Sequence, residues 1–191
     1  MSKLLKLIFD NFKVKSGWAK WYHYGIPDQI GKEREEARNF AEINKHCAIC
    51  TVLSGCYFPR QNMPMFPRHI HCDCMLFSIK KPVGNAQAEC ALEKFTEYIF
   101  SEKYSDNGKI KLFSDLGFSI EDAVYLKSEY ERQAISKYIN GEFNLGTLNR
   151  FGQRITIAIK LKSAVKDDII IKSGWMVRPS GLITCNTPLG G

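Results

Sequence analysis

The sequence predicts an α+β protein in which a small helical N-terminal part is followed by helices packed on a three- to four-stranded antiparallel sheet. Two observations carry this. Apolar residues recur at helical spacing as far as about Tyr138, and from Arg154 onward they alternate, so the period changes once along the chain. Helices that precede a run of strands, rather than alternate with them, are the α+β arrangement. A third observation divides the chain: Lys80 to Gln87 carries Pro82 and Gly84 and breaks both patterns, which sets parts at residues 1–80 and 87–191.

In chain order, Lys3 to Phe12 mixes basic residues with leucines and reads as a short amphipathic helix docked on the body. Its apolar runs fall far below the roughly 18 residues of a membrane span, and it lacks the apolar core and cleavage site of a secretory signal. A cytoplasmic protein without a membrane partner is expected, virion-associated or exported only through another system. Gly31 to His46 is rich in helix formers, with Ala37, Phe40, Ala41 and Asn44 at helical spacing. Gly55, Pro59, Pro64 and Pro67 then forbid a long helix or a central strand. Beyond the boundary, Leu92, Phe95 and Ile99 form the stripe of a helix over Ala91 to Tyr104. A second helix from Lys109 to Leu116 stops at Gly117, the residue suited to a left-handed C′ position. Ser119 and Asp122 cap a third, running to about Tyr138. Ile155, Ile157, Ile159 and Leu161 mark a half-buried strand, Ile169 to Val177 a second, and Leu182 to Asn186 a third after the turn Arg178-Pro179-Ser180-Gly181.

The 191 residues carry a formal net charge of +7. Residues 1–90 hold 13 Lys+Arg against 8 Asp+Glu, and residues 91–191 hold 14 against 12, so the excess lies mainly in the first part. Such a balance favours phosphate or another anionic partner through counterion release.

Seven cysteines, an odd number without a secretory signal and tightly grouped, argue for reduced thiolates on a metal rather than disulfides. Cys47-Ala48-Ile49-Cys50 has the spacing of a zinc knuckle, in which two thiolates wrap one ion while backbone amides turn toward them. His69-Ile70-His71-Cys72-Asp73-Cys74 offers four donors where two are needed. Either His69 with Cys72, or Cys72 with Cys74, completes a tetrahedron, so the candidate ligands are Cys47, Cys50, His69, Cys72 and Cys74. Only Asp73 stands by as a carboxylate, and a cysteine-rich set suits a closed structural Zn2+ of about one per chain. Such an ion would pin the proline-broken loop from Thr51 to Arg68. Cys56, Cys90 and His46 are left over, and Cys185 has no cysteine near it in sequence.

These residues resemble a known signature. CAIC, LSGCYFP and PRHIHCDC look like the C-x-x-C followed by H-x-x-C-x-C of phage minor head (head morphogenesis) proteins, over about residues 40–77, with His69, Cys72 and Cys74 on the matching positions and His71 extra. The long helical region that precedes this signature in full-length head proteins is nearly absent. In the second part, KIKLFSDLGFSIEDA, KYINGEF, FGQRITIAI and SGWMVRPSGLITCNTPLGG resemble a domain found as the tail of head proteins and polymorphic toxins. Several such tails resemble the barnase, EndoU, colicin and RelE nucleases.

The resemblance implies RNA cleavage without a catalytic metal, the 2′-OH attacking its own phosphodiester with help from a base, an acid and a cation. No histidine follows His71, so Lys, Arg and carboxylates would have to serve. Arg154, Lys111, Ser173, Thr187 and Glu142 are the catalytic candidates, Glu142 being the nearest base. Arg178, Thr184 and Trp175 are the substrate-binding ones, Trp175 by stacking on a base. The implied partners are RNA and a cognate immunity protein or phage structural protein. The alternatives are a non-catalytic zinc-stabilised module that binds nucleic acid or protein, and a head-associated structural protein.

Overall fold

The structure is a computed structural model that describes residues 17–70, 72–82, 84–101, 109–163, 165 and 169–190. The helix expected over Lys3 to Phe12, and His71, lie outside the described residues.

The α+β class holds, and the first part adds a sheet that the sequence reading did not anticipate. Strand β1 (Trp18–His23) lies between β2 (Tyr57–Pro59) and β3 (Cys74–Ile79), antiparallel to both. Pro59 is tolerated because β2 is an edge, where a missing N–H breaks no ladder. Helix α1 (Arg34–Asn44) ends as Lys45 turns left-handed, φ 55°, and its N–H caps the Ala41 carbonyl. Short helix α2 (Ala48–Leu53) follows at once, with Cys47 as its N-cap residue.

In the second part, β4 (Gln87–Glu89) leads to a single helical turn of π geometry, α3 (Lys94–Ile99), then α4 (Lys109–Asp115) and α5 (Ala123–Asn140). Gly117 takes φ 79° after α4, as its C′ position requires. Ser119 and Asp122 form the expected capping box, on a 3-10 turn that leads into α5. Four antiparallel strands then follow: β5 (Asn144–Asn149), β6 (Gly152–Leu161), β7 (Ile169–Val177) and β8 (Leu182–Thr187). The sheet order is β4-β8-β7-β6-β5, with β4 parallel to β8, so the sheet has five strands rather than three or four.

Helix α5 buries Leu126, Tyr130, Ala134 and Tyr138, a stripe at four-residue spacing, against Ile155, Ile157 and Ile159. Strand β5 pairs with β6 only as far as Thr156. Beyond it, α5 supplies the missing partner: the Gln133 amide bonds both the N–H (2.8 Å) and the carbonyl (2.6 Å) of Lys160, and Lys137 donates to the Ala158 carbonyl.

The stretch between β3 and β4 separates the two sheets, yet one hydrophobic core runs through both parts, from Trp18, Trp21 and Phe58 to Tyr138, Ile155 and Val177. Trp18 meets Tyr138 edge to face at 5.4 Å, and the Tyr138 hydroxyl donates to the Tyr57 carbonyl at 2.7 Å. Gly55 takes φ +82° where the Asp28 carbonyl and Pro179 close in, and its carbonyl accepts the Ser180 N–H. Cys185 does have a partner: Cys90, the residue just past β4, lies beside it, and the contact with Cys90, then burial, raises its thiol pKa. No helix among the described residues is long and apolar enough to cross a membrane.

Candidate metal centre and a cationic hollow

Three pieces of chain deliver sulfur and imidazole to one end of the three-stranded sheet. Cys47 and Cys50 come from the start of α2, His69 and Cys72 from the loop before β3, and Cys74 is the first residue of β3. A sixth donor is His23, the last residue of β1, which stands directly opposite Cys74 in the ladder. Cys47, Cys50 and His69 have donor atoms within 4.8 Å of one another, and so do His23, Cys50 and Cys74. Cys50 Sγ belongs to both trios; it lies 3.3 Å from His69 Nε2 and 3.8 Å from Cys72 Sγ. Each trio has the donor types and spacing that could hold a metal ion.

The histidines are set up alike. His23 Nδ1 is 2.7 Å from the Tyr24 carbonyl and His69 Nδ1 is 2.9 Å from the Ile70 carbonyl. A carbonyl only accepts, so each Nδ1 carries the hydrogen and each Nε2 keeps its lone pair, the arrangement of metal-ligating histidines. His46 is no donor in either trio; it packs edge to face on His23 and stacks on Phe40. Asp73 joins neither trio.

The thiols are already polarised. A hydrogen bond from Cys50 holds the Cys74 thiol down to about 6 against the opposition of burial, and the nearby Trp21 indole helps. That indole N–H is buried and meets hydrogen-bond geometry with no acceptor. Cys50 itself is pushed up, first by that bond to Cys74 and then by burial. Burial also raises Cys47, but the backbone N–H groups of Cys50 and Ile49 outweigh it and leave Cys47 below the ordinary thiol value. This is the amide-to-sulfur contact expected of a knuckle. The backbone bond to Ile70 raises the His69 pKa. Among leftover cysteines, Cys56 is fully buried and burial pushes its thiol up to about 12.

The residues proposed for chemistry in the second part divide between the two faces of the sheet. Arg154 and Arg178 line a hollow of about 280 Å³ with Lys94, Asn149, Phe151, Met176 and Asn186, and Thr184 touches it only through Arg178. Arg178 donates to the Phe151 carbonyl at 3.0 Å and to Thr184 Oγ1 at 3.4 Å, which fixes its fork at the rim. Lys94 is held at 3.0 Å by the Asn186 carbonyl. No carboxylate lines this hollow, and Arg154 has no ion-pair partner among the described residues.

Ser173 and Trp175 point the other way. Both are fully buried under α5, the Ser173 hydroxyl donating to the Ile157 carbonyl (2.9 Å) and accepting the Trp175 indole N–H (2.8 Å). Arg154 and Ser173, both named as catalytic candidates, therefore do not come together, because strand parity sends them to opposite sides. Thr187 closes a turn by donating to the Leu189 carbonyl. Lys111 is exposed on α4 and Glu142 is exposed just past α5, and neither lines the hollow. Lys94, Asn149 and Asn186 were not singled out in the sequence, and nothing in their spacing marks them. A larger hollow of about 530 Å³ between α5 and β6 is of mixed charge, its Arg132 bound to Glu129 at 2.7 Å and its Gln133 committed to Lys160.

Fold and site together define an α+β protein with a cysteine–histidine cluster of metal-ligand spacing and a cationic hollow on its second sheet. Residues 83–186 match the family described as Domain of unknown function (DUF6883), and the chain belongs to that family. The match includes every residue of the hollow and none of the metal-centre donors. No curated protein and no solved structure matches the chain.

Proposed function

We propose that this is a zinc-stabilised RNA-binding protein in which the metal fixes the first part and the family domain grips phosphate. Three cations without a carboxylate among them, Lys94, Arg154 and Arg178, around one hollow are the observation that carries the binding reading. Planar guanidinium forks suit phosphate, and Asn149 and Asn186 lie alongside to orient it. Thiolate and imidazole donors in one cluster support zinc as the metal. Cys47 and Cys50, completed by His69 with Cys72 or by Cys72 with Cys74, would hold the ion, which would tie the loop before β3 to α2. The resemblance to nuclease tails of phage head proteins and toxins favours RNA as the polyanion.

Cleavage would need a base and an acid beside the bound phosphate. The hollow's lining supplies neither a carboxylate nor a histidine, so binding is the activity proposed. The test incubates the full chain with total RNA, with and without chelator, beside Arg154→Ala. Salt-sensitive binding that weakens in the variant supports the reading, and intact, unbound RNA refutes it. Strand scission that survives chelation and disappears in Arg154→Ala would make the domain a metal-independent ribonuclease instead.

A further inference from the structure

We propose that the cysteine–histidine cluster holds two zinc ions rather than one, bridged by the Cys50 thiolate, with His23 as a ligand of the second ion. This rests on the zinc reading above and extends it in ligand set and stoichiometry. The two trios, Cys47–Cys50–His69 and His23–Cys50–Cys74, share Cys50 and nothing else, and no fourth donor joins either within the same mutual distance among the described residues. Zn–S bonds of about 2.3 Å and Zn–N bonds of about 2.0 Å place tetrahedral ligands about 3.3 to 3.8 Å apart. Cys50 Sγ is 3.3 Å from His69 Nε2 and 3.8 Å from Cys72 Sγ, distances that fit edges of one tetrahedron. His23 and Cys74 lie in the other trio, with Cys50 as the common corner.

Ligand number and charge agree with this. Two four-coordinate ions need eight bonds, and six donors with Cys50 shared supply seven, which leaves one position for a solvent oxygen. Cys72, 3.8 Å from Cys50 but in neither trio, is the remaining donor. Two Zn2+ also neutralise the four thiolates of Cys47, Cys50, Cys72 and Cys74, leaving no net charge at a site where Cys50 is 0% and Cys74 6% exposed. His23 is itself only 6% exposed, and its Nδ1–H is already committed to the Tyr24 carbonyl, so Nε2 is the nitrogen left for a metal.

The experiment measures metal per chain on the full-length protein purified with zinc. Two equivalents are expected, and His23→Ala should fall to one while the knuckle trio keeps its ion. Because a buried substitution can unfold the chain, the wild type is also loaded with Co2+ and its magnetic moment measured: thiolate-bridged ions couple and lower the moment below that of two isolated ions. One equivalent in the wild type, or an uncoupled moment, overturns the bridged site and leaves the single-zinc reading standing. A chain that purifies without metal overturns both.

Discussion

Binding at the cationic hollow should carry a salt signature whose size follows from the residues around it. Lys94, Arg154 and Arg178 meet there, and no carboxylate lines the hollow. Three phosphates neutralised on a single strand give a slope of log K against log salt of about −2, since each contributes about −0.7, and raising salt from about 50 to about 200 mM then weakens binding roughly 18-fold. Arg154→Ala removes one contact, so the slope falls to about −1.4 and the same change in salt costs only about 7-fold. Arg154 is half-buried on the face of β6 that lines the hollow, so the variant should fold. The assay is fluorescence anisotropy of a short single-stranded RNA across a salt series, with metal content checked in both proteins. A slope that stays the same in Arg154→Ala would refute the assignment, and an affinity indifferent to salt would refute phosphate recognition altogether.

Three further outcomes test the frame that holds these sites. Cys47→Ser should lower metal content and melting temperature sharply, whereas Cys185→Ser should leave metal content unchanged and cost about 1–2 kcal/mol by facing a hydroxyl toward buried Cys90; elemental analysis beside thermal melts reads both. Gly55→Ala should destabilise by about 2 kcal/mol or more in a denaturant melt, since the residue sits at φ +82° and a Cβ would lie 2.4 Å from the Asp28 carbonyl, whereas wild-type stability would show that the Asp28 loop simply yields. Cys56 has a raised folded-state thiol pKa, so its contribution is complete below the unfolded value of 9.0 and disappears as pH climbs toward about 12. Stability should therefore drop through that window by up to about 1.4 kcal/mol per pH unit, and Cys56→Ala should flatten the drop in alkaline melts; parallel profiles would dismiss burial of this thiol as the cause.

Much of the second part was legible because its signals are local. The alternation of Ile155, Ile157, Ile159 and Leu161 needs only a strand with one buried face, and Ser119, Asp122 and Gly117 act on backbone groups within a turn of themselves. The tight spacing of Cys47 with Cys50, and of Cys72 with Cys74, likewise marks a metal knuckle before any fold is known. Strand β5 escaped because Asn144–Asn149 is mostly exposed and held by pairing with β6, so its residues carry no pattern of their own.

What lay between elements was decided by tertiary structure. His23 stands far from every cysteine in sequence and reaches the cluster because β1 pairs antiparallel with β3 in the one register that sets it opposite Cys74. Cys90 and Cys185 meet for the same reason, across the single parallel pairing of the five-stranded sheet. Arg154 and Arg178 share a hollow while Ser173 is turned into the core, since a pleated strand sends neighbouring side chains to opposite faces and α5 covers only one of them. Composition and spacing along one chain thus determined which chemistry is present, the thiolates, imidazoles and cations. Pairing register and strand parity, which depend on partners distant in sequence, decided which of those groups touch.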